Sequence, residues 1–588
     1  MLHKKKTFIY VLITFILSFI TKIVYLLHPI NIRMVSDNFG CLIGSAYLAG
    51  LDWRHAAPGN YYGQGWYIIY SFLFRFVEDP YLIYQIIIIT NIIIISSVSI
   101  LIYFILVGFL DIKNGILPVL LSALCTHFML DHGYGTRISN ESPVFVFTWL
   151  IYFFLLYTYF NKGKKKFIYG FSALIFIQSY SLLIHTRMSV LIIAIFLCIL
   201  LFQLLYNEWI INPVLYILST LAGSIIVLRI KHYITSILWK NNVPEEILNY
   251  NLGVDRVLKA DYTIKSIMDV LISNIYKLTI STDGLFLIGI IIFSALLWKV
   301  FKKIVKNSSL SIPNYKDTAI FIMFITSFLC VAICICGICV LYSDEIAKGY
   351  ALQMENARFN GLTYLRYYFS FSGPMLLSII LISNNKKKYV LKYYKWIFPV
   401  WIFVLVYEYL SVIPKLDIYL SSFSIRNYIS NPRINIILTV IFISVCLVIC
   451  WLLIYKKKII LLTGFMILQF FYTGLCSLDF PFLQISSTAG DKTYALINCI
   501  KDDFYFSKSI YTYKSKNSEI QFLLNEYKVI VLKNLADINS IDAPIIITGV
   551  LLPEESEYLF QTGYTQIISG ENENIWSNAP ELLKYTRN

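Results

Sequence analysis

Residues 81–110 read YLIYQIIIITNIIIISSVSILIYFILVGFL and carry no charged side chain. A helix needs about 20 consecutive apolar residues to cross the hydrocarbon core of a bilayer. Similar apolar runs recur along most of the 588 residues, of which 58% are hydrophobic and 14% charged. The mean hydropathy of +0.68 is far above that of a soluble globular protein. The sequence therefore predicts an α-helical polytopic membrane protein.

The formal charge of +15 is explained by topology rather than by a nucleic-acid partner. The lysines gather in short links between apolar runs, and such links face the cytoplasm under the positive-inside rule. The basic clusters are Lys4–Lys6, Lys164–Lys166, Lys302–Lys303, Lys386–Lys388 and Lys456–Lys458. We therefore expect membrane lipids, and no nucleic acid, as partners.

Alternating the apolar runs across the bilayer predicts about thirteen transmembrane helices, with the N-terminus in the cytoplasm. The first run lacks a small-x-small cleavage site, so it is interpreted as an uncleaved span. The runs are 7–27, 81–110, 115–130, 142–160, 167–184, 188–206, 211–229, 285–300, 318–342, 363–383, 396–413, 434–454 and 459–476. An outer loop is predicted at about 230–283.

The first outer loop, residues 28–80, contains GQGWYIIYSFLFRFV at 63–77. This segment is rich in aromatic residues and too short to span a bilayer, which predicts an interfacial helix.

The character of the chain changes after about residue 478. Residues 528–534 (KVIVLKN) and 543–552 (APIIITGVLL) have the composition of buried strands, and 518–527 (SEIQFLLNEY) has helical spacing. We predict a transmembrane domain over 1–478 and a small extracytoplasmic α/β domain over 479–588. No G-x-G-x-x-G motif or P-loop occurs in the second domain, so nothing indicates nucleotide binding there.

Acids and arginines collect at the outer ends of the predicted spans. Arginine offers a planar fork of donors to phosphate oxygens, and a carboxylate can accept a proton from a hydroxyl nucleophile. Together these groups suit a reaction on a phosphate-bearing substrate. The residues are Asp37, Asp52, Arg54, Asp131, His132, Arg137, Glu141, His185, Arg187, Arg358 and Arg366.

Each of these residues also has a purely structural interpretation. Asp37 is a good N-cap for a helix that begins at Asn38, and Asp52 suits a solvated turn. Arg137 and Glu141 have the spacing of a helical salt bridge. Arginines near span ends commonly extend toward the interface. It is the placement of all these groups on one face that indicates a site.

Four segments resemble the GT-C superfamily of membrane glycosyltransferases, especially protein O-mannosyltransferases and lipid A aminoarabinose transferases. The resemblance is one of layout and covers about residues 7–380. The segments are SDNFGCLIGSAYLAGLDW (36–53), YYGQGWYIIYSFLFRFVEDP (61–80), DHGYGTRISNESP (131–143) and LRYYFSFSGP (365–374).

The resemblance implies a GT-C-like fold and roles for individual residues. Asp37 corresponds to the first-loop acid of the family, a catalytic base or metal-site acid, with Asp131 and Glu141 as further catalytic candidates. The donor phosphate would be bound by Arg137, Arg187 and Arg366, and His185 is a further candidate for substrate binding. Tyr62 and Gln64 are also expected to bind substrate, and they belong to the aromatic segment that walls the cavity in the family. Many relatives have a second acid after the first, whereas Asn38 follows Asp37 here, which leaves a divalent cation optional.

The function expected from this resemblance is transfer of a sugar from a polyprenyl-phosphate donor to a cell-envelope acceptor. The acceptor would be a glycan, glycolipid or protein on the noncytoplasmic face of the plasma membrane, and the composition hints at a bacterial source. A lipid-linked glycan flippase or transporter remains an alternative, although it predicts internal repeats and charges deep within spans. A polysaccharide ligase or polymerase using lipid-pyrophosphate donors is also compatible with the loop at 230–283.

Overall fold

The structure is a computed structural model, and it describes most of the chain. The described residues are 2–23, 34, 36–56, 63–127, 138–239, 263–306, 314–352, 362, 365–415, 431–477, 509–515, 517–540, 543–569, 573–580 and 582. The predicted boundary at 478/479 lies outside these residues, so the two-domain division remains a prediction.

Long helices make up most of the described chain. In its first half they are α1 (Leu2–Ile23), α2 (Ser36–Leu48), α3 (Ser71–Phe76), α4 (Pro80–Phe104), α5 (Ile116–His127), α6 (Glu141–Phe160), α7 (Lys166–Ile184), α8 (Met188–Tyr206) and α9 (Pro213–Leu238). In its second half they are α10 (Ile264–Ser281), α11 (Leu285–Lys306), α12 (Tyr315–Leu352), α13 (Phe369–Asn385), α14 (Lys387–Tyr394), α15 (Ile397–Tyr407), α16 (Pro432–Tyr455) and α17 (Ile459–Ser477).

An Asp-Pro or Asn-Pro pair starts three of these helices. Proline at the first helical position loses no helical hydrogen bond, and the side chain before it caps free N–H groups. Asp79 accepts from the Tyr81 N–H at 2.9 Å at the start of α4. Asn212 and Asn431 accept equivalent bonds at the starts of α9 and α16. The Asp-Pro and Asn-Pro pairs therefore determine where these three helices begin.

The helical segments confirm a multi-pass membrane protein. Nine of the described helices are long and apolar enough to cross a bilayer, and three apolar helices are shorter. Each of the thirteen predicted spans coincides with a helix. The number of crossings itself remains a prediction. The shorter helix at Tyr67–Phe76 coincides with the predicted interfacial segment, and one side of it exposes Ile69, Phe72 and Phe76.

Three of the lysine-rich links lie at one end of the bundle, here called the lysine-rich end. Lys162 Nζ lies 2.8 Å from Glu208 Oε1, and Lys303 Nζ donates to the Leu205 carbonyl at 2.9 Å. Lys386 Nζ lies 2.8 Å from Asp317 Oδ2. Helices α6 and α8 end here and begin at the opposite end, here called the site end.

The prediction of a loop over 230–283 is wrong at both ends. Helix α9 continues to Leu238, and α10 occupies 264–281. Polar residues such as Asp269, Ser273 and Asn274 hid α10 from a search for apolar runs, yet all three are buried. Their side chains form hydrogen bonds with Tyr407, Glu408 and Tyr368 of neighbouring elements.

The C-terminal part is a five-stranded sheet with two helices, as the predicted α/β character requires. Its strands are β1 (Ser509–Tyr513), β2 (Lys528–Val531), β3 (Ile545–Thr548), β4 (Thr565–Ser569) and β5 (Asn574–Ser577), in the order β2-β1-β3-β5-β4. Strand β1 pairs in parallel with β2 and β3, whereas β5 is antiparallel to β3 and β4. The helices are α18 (Asn517–Leu523) and α19 (Pro553–Gln561).

The sheet domain contacts the segment that follows α2. Trp53 Nε1 donates to the Asn525 carbonyl at 3.0 Å. The ring of Phe522 meets those of Trp53 and Phe74 edge-on, with centroids 6.0 and 6.4 Å away. Because all three aromatic side chains are buried, the domain is held against the loop that carries α2 and α3.

Candidate active site

A buried ion cluster at the site end joins Glu141, Arg187 and Arg366. The Glu141 carboxylate receives Arg187 Nη1 at 2.7 Å and Arg187 Nη2 at 3.1 Å, a bidentate pair. Arg366 Nε donates to Glu141 Oε1 at 2.7 Å. Arg187 Nη1 also donates to the Arg366 carbonyl at 2.8 Å. Three segments far apart in sequence therefore meet around one carboxylate.

Each member of the cluster comes from the end of a helix. Glu141 is the first residue of α6, Arg187 directly precedes α8, and Arg366 lies in the short 3-10 turn Leu365–Tyr367 before α13. Within the turn between α7 and α8, the Arg187 N–H donates to His185 Nδ1 at 3.0 Å. Helix ends at the same depth of the bundle thus collect charged groups that a spanning segment could not carry cheaply.

Positive charge exceeds negative charge around this carboxylate. Two guanidinium groups face Glu141, and Lys231 on α9 lies close enough to act on His185. Arg187 is only 7% exposed, and its Nε is buried with no hydrogen-bond partner among the described residues. The Arg187 guanidinium also lies 4.8 Å from the centre of the Tyr367 ring. A buried donor on a cation at a site with surplus positive charge suits an anionic ligand.

Burial and neighbouring charge set the protonation of the turn residues. Burial disfavours the charge of Arg187, but the Glu141 carboxylate outweighs it and raises the pKa of Arg187 above its usual value. Burial, followed by the positive charge of Arg187, lowers the pKa of His185 to about 3. His185 is therefore neutral at physiological pH, and the arginines carry the charge of the turn.

The lowered pKa of His185 predicts acid sensitivity. Between about pH 3 and 6.5 the unfolded chain binds a proton at this histidine and the folded chain does not. Stability contributed by the neutral ring is therefore lost as pH falls below about 6.5, by up to roughly 1.4 kcal/mol per pH unit. We expect His185→Gln to flatten the decline of the thermal unfolding midpoint between pH 6.5 and 5. An equally steep decline in the variant would contradict this assignment.

Helix α2 is tied to the segment before Glu141 through a side-chain amide and a tyrosine. Gln64 Nε2 donates to the Gly40 carbonyl at 2.5 Å, and Gln64 Oε1 accepts from the Gly44 N–H at 2.9 Å. The amide thus bridges the two groups that an uninterrupted helix would bond directly. Tyr67 OH donates to the Ser139 carbonyl at 2.7 Å and accepts from the Ser139 N–H at 2.8 Å. These bonds hold α2 beside the ion cluster.

Replacing Gly44 with alanine is expected to destabilise this connection. The added Cβ would lie 2.3 Å from Gln64 Oε1, so the buried amide must shift and lose its hydrogen bonds to α2. We expect a loss of about 1–3 kcal/mol, reduced by alanine's better helix propensity. Thermal unfolding in detergent measures the effect. Gly337→Ala on α12 is the matched control, because its Cβ would meet nothing within 4 Å. Equal midpoints for the two variants would contradict the prediction.

Comparison with known proteins identifies the fold. No protein-family model matches the sequence, and no curated protein matches it. Two crystal structures of ArnT from Cupriavidus metallidurans are similar. The structure bound to undecaprenyl phosphate is 11% identical and has a TM-score of 0.51, with 98% of each chain covered. The apo structure is 10% identical and has a TM-score of 0.49, with 99% of each chain covered.

The chain shares its fold with ArnT. This confirms the fold expected from the resemblance, and it extends over nearly the whole length of the chain. The ArnT-like fold includes the C-terminal part, which the sequence resemblance did not cover.

The structure describes the side chains of five of the nine predicted site residues. Glu141, His185, Arg187 and Arg366 come together in one cluster, and Gln64 contacts α2 nearby. Asp37 lies in the first turn of α2, but its side chain is outside the described part. Tyr62, Asp131 and Arg137 also lie outside the described residues, as do His132 and Arg358.

The remaining outer-loop charges pair locally. Asp52 and Arg54 bond to each other, with Arg54 Nε 2.7 Å from Asp52 Oδ1. Asp52 therefore pairs within its own loop, and its interpretation as part of a solvated turn stays a prediction. Among the residues described in the structure, no three His, Cys, Asp or Glu side chains are grouped to hold a metal ion.

The sequence reasoning did not select Lys231 and Tyr367, which act on the cluster. It also did not select Tyr67, which hydrogen-bonds to Ser139 two residues before Glu141. Tyr367 follows Arg366 directly in the sequence LRYY, so the sequence itself indicates that a tyrosine ring lies near this arginine. The apolar run that predicts α9 ends at 229 and so leaves out Lys231, and the aromatic segment places Tyr67 on an interfacial surface.

Proposed function

We propose that this protein is a glycosyltransferase that moves a sugar from a polyprenyl-phosphate donor to a cell-envelope acceptor. The observation that carries the proposal is the buried Glu141–Arg187–Arg366 cluster, whose positive charge exceeds its negative charge. A membrane-embedded donor with a phosphate head needs such a site at the end of a helical bundle. The ArnT-like fold supports the same class of enzyme, and one of its solved representatives is bound to undecaprenyl phosphate.

The arginines would bind the donor phosphate and stabilise it as a leaving group. Arg187 Nε is the donor without a partner among the described residues, and it projects from a side chain that is already oriented. As the glycosidic bond to phosphate breaks, negative charge grows on the phosphate oxygens. Preoriented cations lower the energy of that state more than the energy of the bound donor.

Asp37 would act as the general base. The acceptor hydroxyl gives its proton to the Asp37 carboxylate, and the oxygen attacks the anomeric carbon of the sugar. The bond between that carbon and the phosphate oxygen breaks, which releases the polyprenyl phosphate and inverts the anomeric carbon. The bonds from Gln64 and Tyr67 hold α2, which carries Asp37 in its first turn, beside the residues before Glu141.

Glu141 is better suited to orient the arginines than to move protons. Both of its oxygens accept hydrogen bonds from guanidinium groups, which stabilise the charged carboxylate. We therefore assign it a positioning role and keep Asp37 as the base. Asp131, Arg137 and Tyr62 remain proposed contributors to catalysis and substrate binding, and a divalent cation remains optional.

The positive-inside rule supports a noncytoplasmic active site. The basic links lie at the lysine-rich end, so the site end and the C-terminal domain would face outward from the plasma membrane. A lipid-linked donor would then keep its tail in the bilayer while its head enters the site. The acceptor would arrive from the envelope as a glycan, a glycolipid or a protein.

A transfer assay on purified protein tests the proposal. Protein in detergent is given polyprenyl-phosphate sugars and envelope acceptors, and the product is measured without membrane sidedness. Sugar transfer is the expected result. Movement of the lipid across liposomes without transfer would support the flippase alternative. Turnover with lipid-pyrophosphate donors only would indicate a ligase or polymerase.

A further inference from the structure

A second group of buried charges lies between α10 and the end of α15. Asp269 on α10 is 1% exposed, and Glu408, which follows α15, is fully buried. Tyr407 OH donates to Asp269 Oδ1 at 2.8 Å, and Ser273 Oγ donates to Glu408 Oε1 at 2.9 Å. The two carboxylates are close enough for their charges to interact. This group plays no part in the proposed transfer.

The group is close to the site end but separate from the arginine cluster. Asn274, the neighbour of Ser273, accepts from Tyr368 OH at 2.6 Å. Tyr368 lies two residues after Arg366, so one turn of α10 touches elements of both clusters. The arginine cluster has surplus positive charge, whereas the second group brings two carboxyl groups together with one lysine.

The hydrogen bonds and ion pairs of the described residues leave one oxygen of this group without a partner. Lys415 Nζ lies 3.3 Å from Asp269 Oδ2 and is the cation that contacts the pair. Glu408 Oε2 is buried and has no hydrogen-bond partner among the described residues. A buried carboxylate oxygen without a partner is costly in a membrane protein. A bound ligand with positive charge would remove this cost.

The chemistry of the donors points to the kind of ligand. Carboxylate and hydroxyl oxygens of Asp269, Glu408, Ser273 and Tyr407 are hard donors, which suit alkali and alkaline-earth cations. No third acid, histidine or cysteine joins the pair in the described part of the chain, so a divalent or transition metal would be poorly held. The near-complete burial of Asp269, Ser273 and Glu408 restricts the ligand to a small ion.

We propose that Asp269 and Glu408, with the hydroxyls of Ser273 and Tyr407, bind a monovalent alkali-metal cation at the site end of α10. The ion would contact Glu408 Oε2 and would link α10 to the end of α15. The inference does not depend on the proposed transferase activity, because its test measures ion binding and stability rather than sugar transfer.

Thermal unfolding of the full-length protein in detergent tests the site. Sodium, potassium or N-methyl-D-glucamine chloride is titrated at constant ionic strength. We expect sodium or potassium to raise the unfolding midpoint of the wild type saturably by several degrees, because ligand binding stabilises the folded state. N-methyl-D-glucamine is too large for the site and should have no such effect. Glu408→Gln should abolish the rise, whereas the control Glu208→Gln at the lysine-rich end should retain it.

Three outcomes would overturn the proposal. The first is equal wild-type midpoints in the three salts, and the second is an unchanged cation response in Glu408→Gln. The third is a Glu408→Gln variant that is more stable than the wild type in every salt, which would indicate a protonated carboxyl without an ion. If Glu408→Gln fails to fold, equilibrium binding of radioactive sodium or rubidium to wild type and Ser273→Ala decides the question. Wild-type binding no greater than that to an unrelated membrane protein would also reject the site.

Discussion

Asp37→Asn is expected to abolish sugar transfer while leaving the protein folded. The amide cannot accept the proton of the acceptor hydroxyl, and a positioned general base contributes about 10²–10⁴-fold to rate. Asparagine is nearly the same size as aspartate and is an equally good helix cap. The loss should therefore appear in kcat, with the binding of the donor and the thermal midpoint close to those of the wild type.

The matched control for this substitution is Asp52→Asn. Asp52 lies in the same loop, and the hydrogen bond from Arg54 holds its pKa below the usual value, so it is also a carboxylate. Both variants remove one negative charge from the segment that follows the first helix. We expect Asp52→Asn to retain wild-type transfer within about twofold, because exposed ion pairs contribute little. Wild-type turnover in Asp37→Asn would return Asp37 to the role of a helix cap.

The positions of most spanning helices can be predicted from the sequence because a bilayer imposes one rule on every span. Apolar runs must be helical, since lipid offers no partners for backbone polar groups. This rule locates α4, α8 and α16 from composition alone. It fails for α10, where Asp269, Ser273 and Lys277 are buried by neighbouring helices instead of by lipid. Helices covered by protein on all sides can carry polar residues that mask them in a hydropathy search.

In the C-terminal domain the sequence predicts the most apolar elements. Strands β2 and β3 lie within the predicted segments, and α18 lies within the predicted helix apart from its first residue. Strands β1, β4 and β5 were not predicted. Short strands such as TQIIS at 565–569 mix polar and apolar residues, so pairing with neighbours decides their conformation.

The sequence predicts which residues form the candidate site but not how their side chains contact one another. Positive-inside topology assigns Glu141, Arg187 and Arg366 to one face, and residue chemistry suggests a phosphate. The sequence does not predict that Glu141 binds both Arg187 and Arg366. Arg137 lies four residues before Glu141, so sequence spacing favours Arg137 as its partner. The pairing across 46 and 225 residues depends on how the helices are arranged in space.

Glu141→Ala is expected to be the most destabilising substitution at the site end. Removal of the carboxylate leaves the guanidinium of Arg187 buried without its partner, and breaking a buried ion pair in this way costs about 3–5 kcal/mol. Glu141 is 2% exposed, so water would not easily compensate. We expect a large drop in the thermal midpoint in detergent, or poor recovery of folded protein.

The control for this effect is Glu208→Ala at the lysine-rich end. Glu208 pairs with Lys162 at the same 2.8 Å separation, but the two side chains are 31% and 43% exposed. Exposed ion pairs contribute about 0–1 kcal/mol, so this variant should stay close to the wild type. Equal stability losses in Glu141→Ala and Glu208→Ala would mean that the Glu141 cluster is hydrated and not a buried ion pair.

The double variant Glu141→Ala with Arg187→Met separates the structural from the functional role of the cluster. Removing both charges relieves the unpaired guanidinium, so stability should recover by about 2 kcal/mol or more relative to Glu141→Ala. Sugar transfer should not recover, because the cation that would contact the donor phosphate is absent. Recovery of both stability and transfer would show that Arg187 serves only to neutralise Glu141, and the donor phosphate would then have to be bound elsewhere.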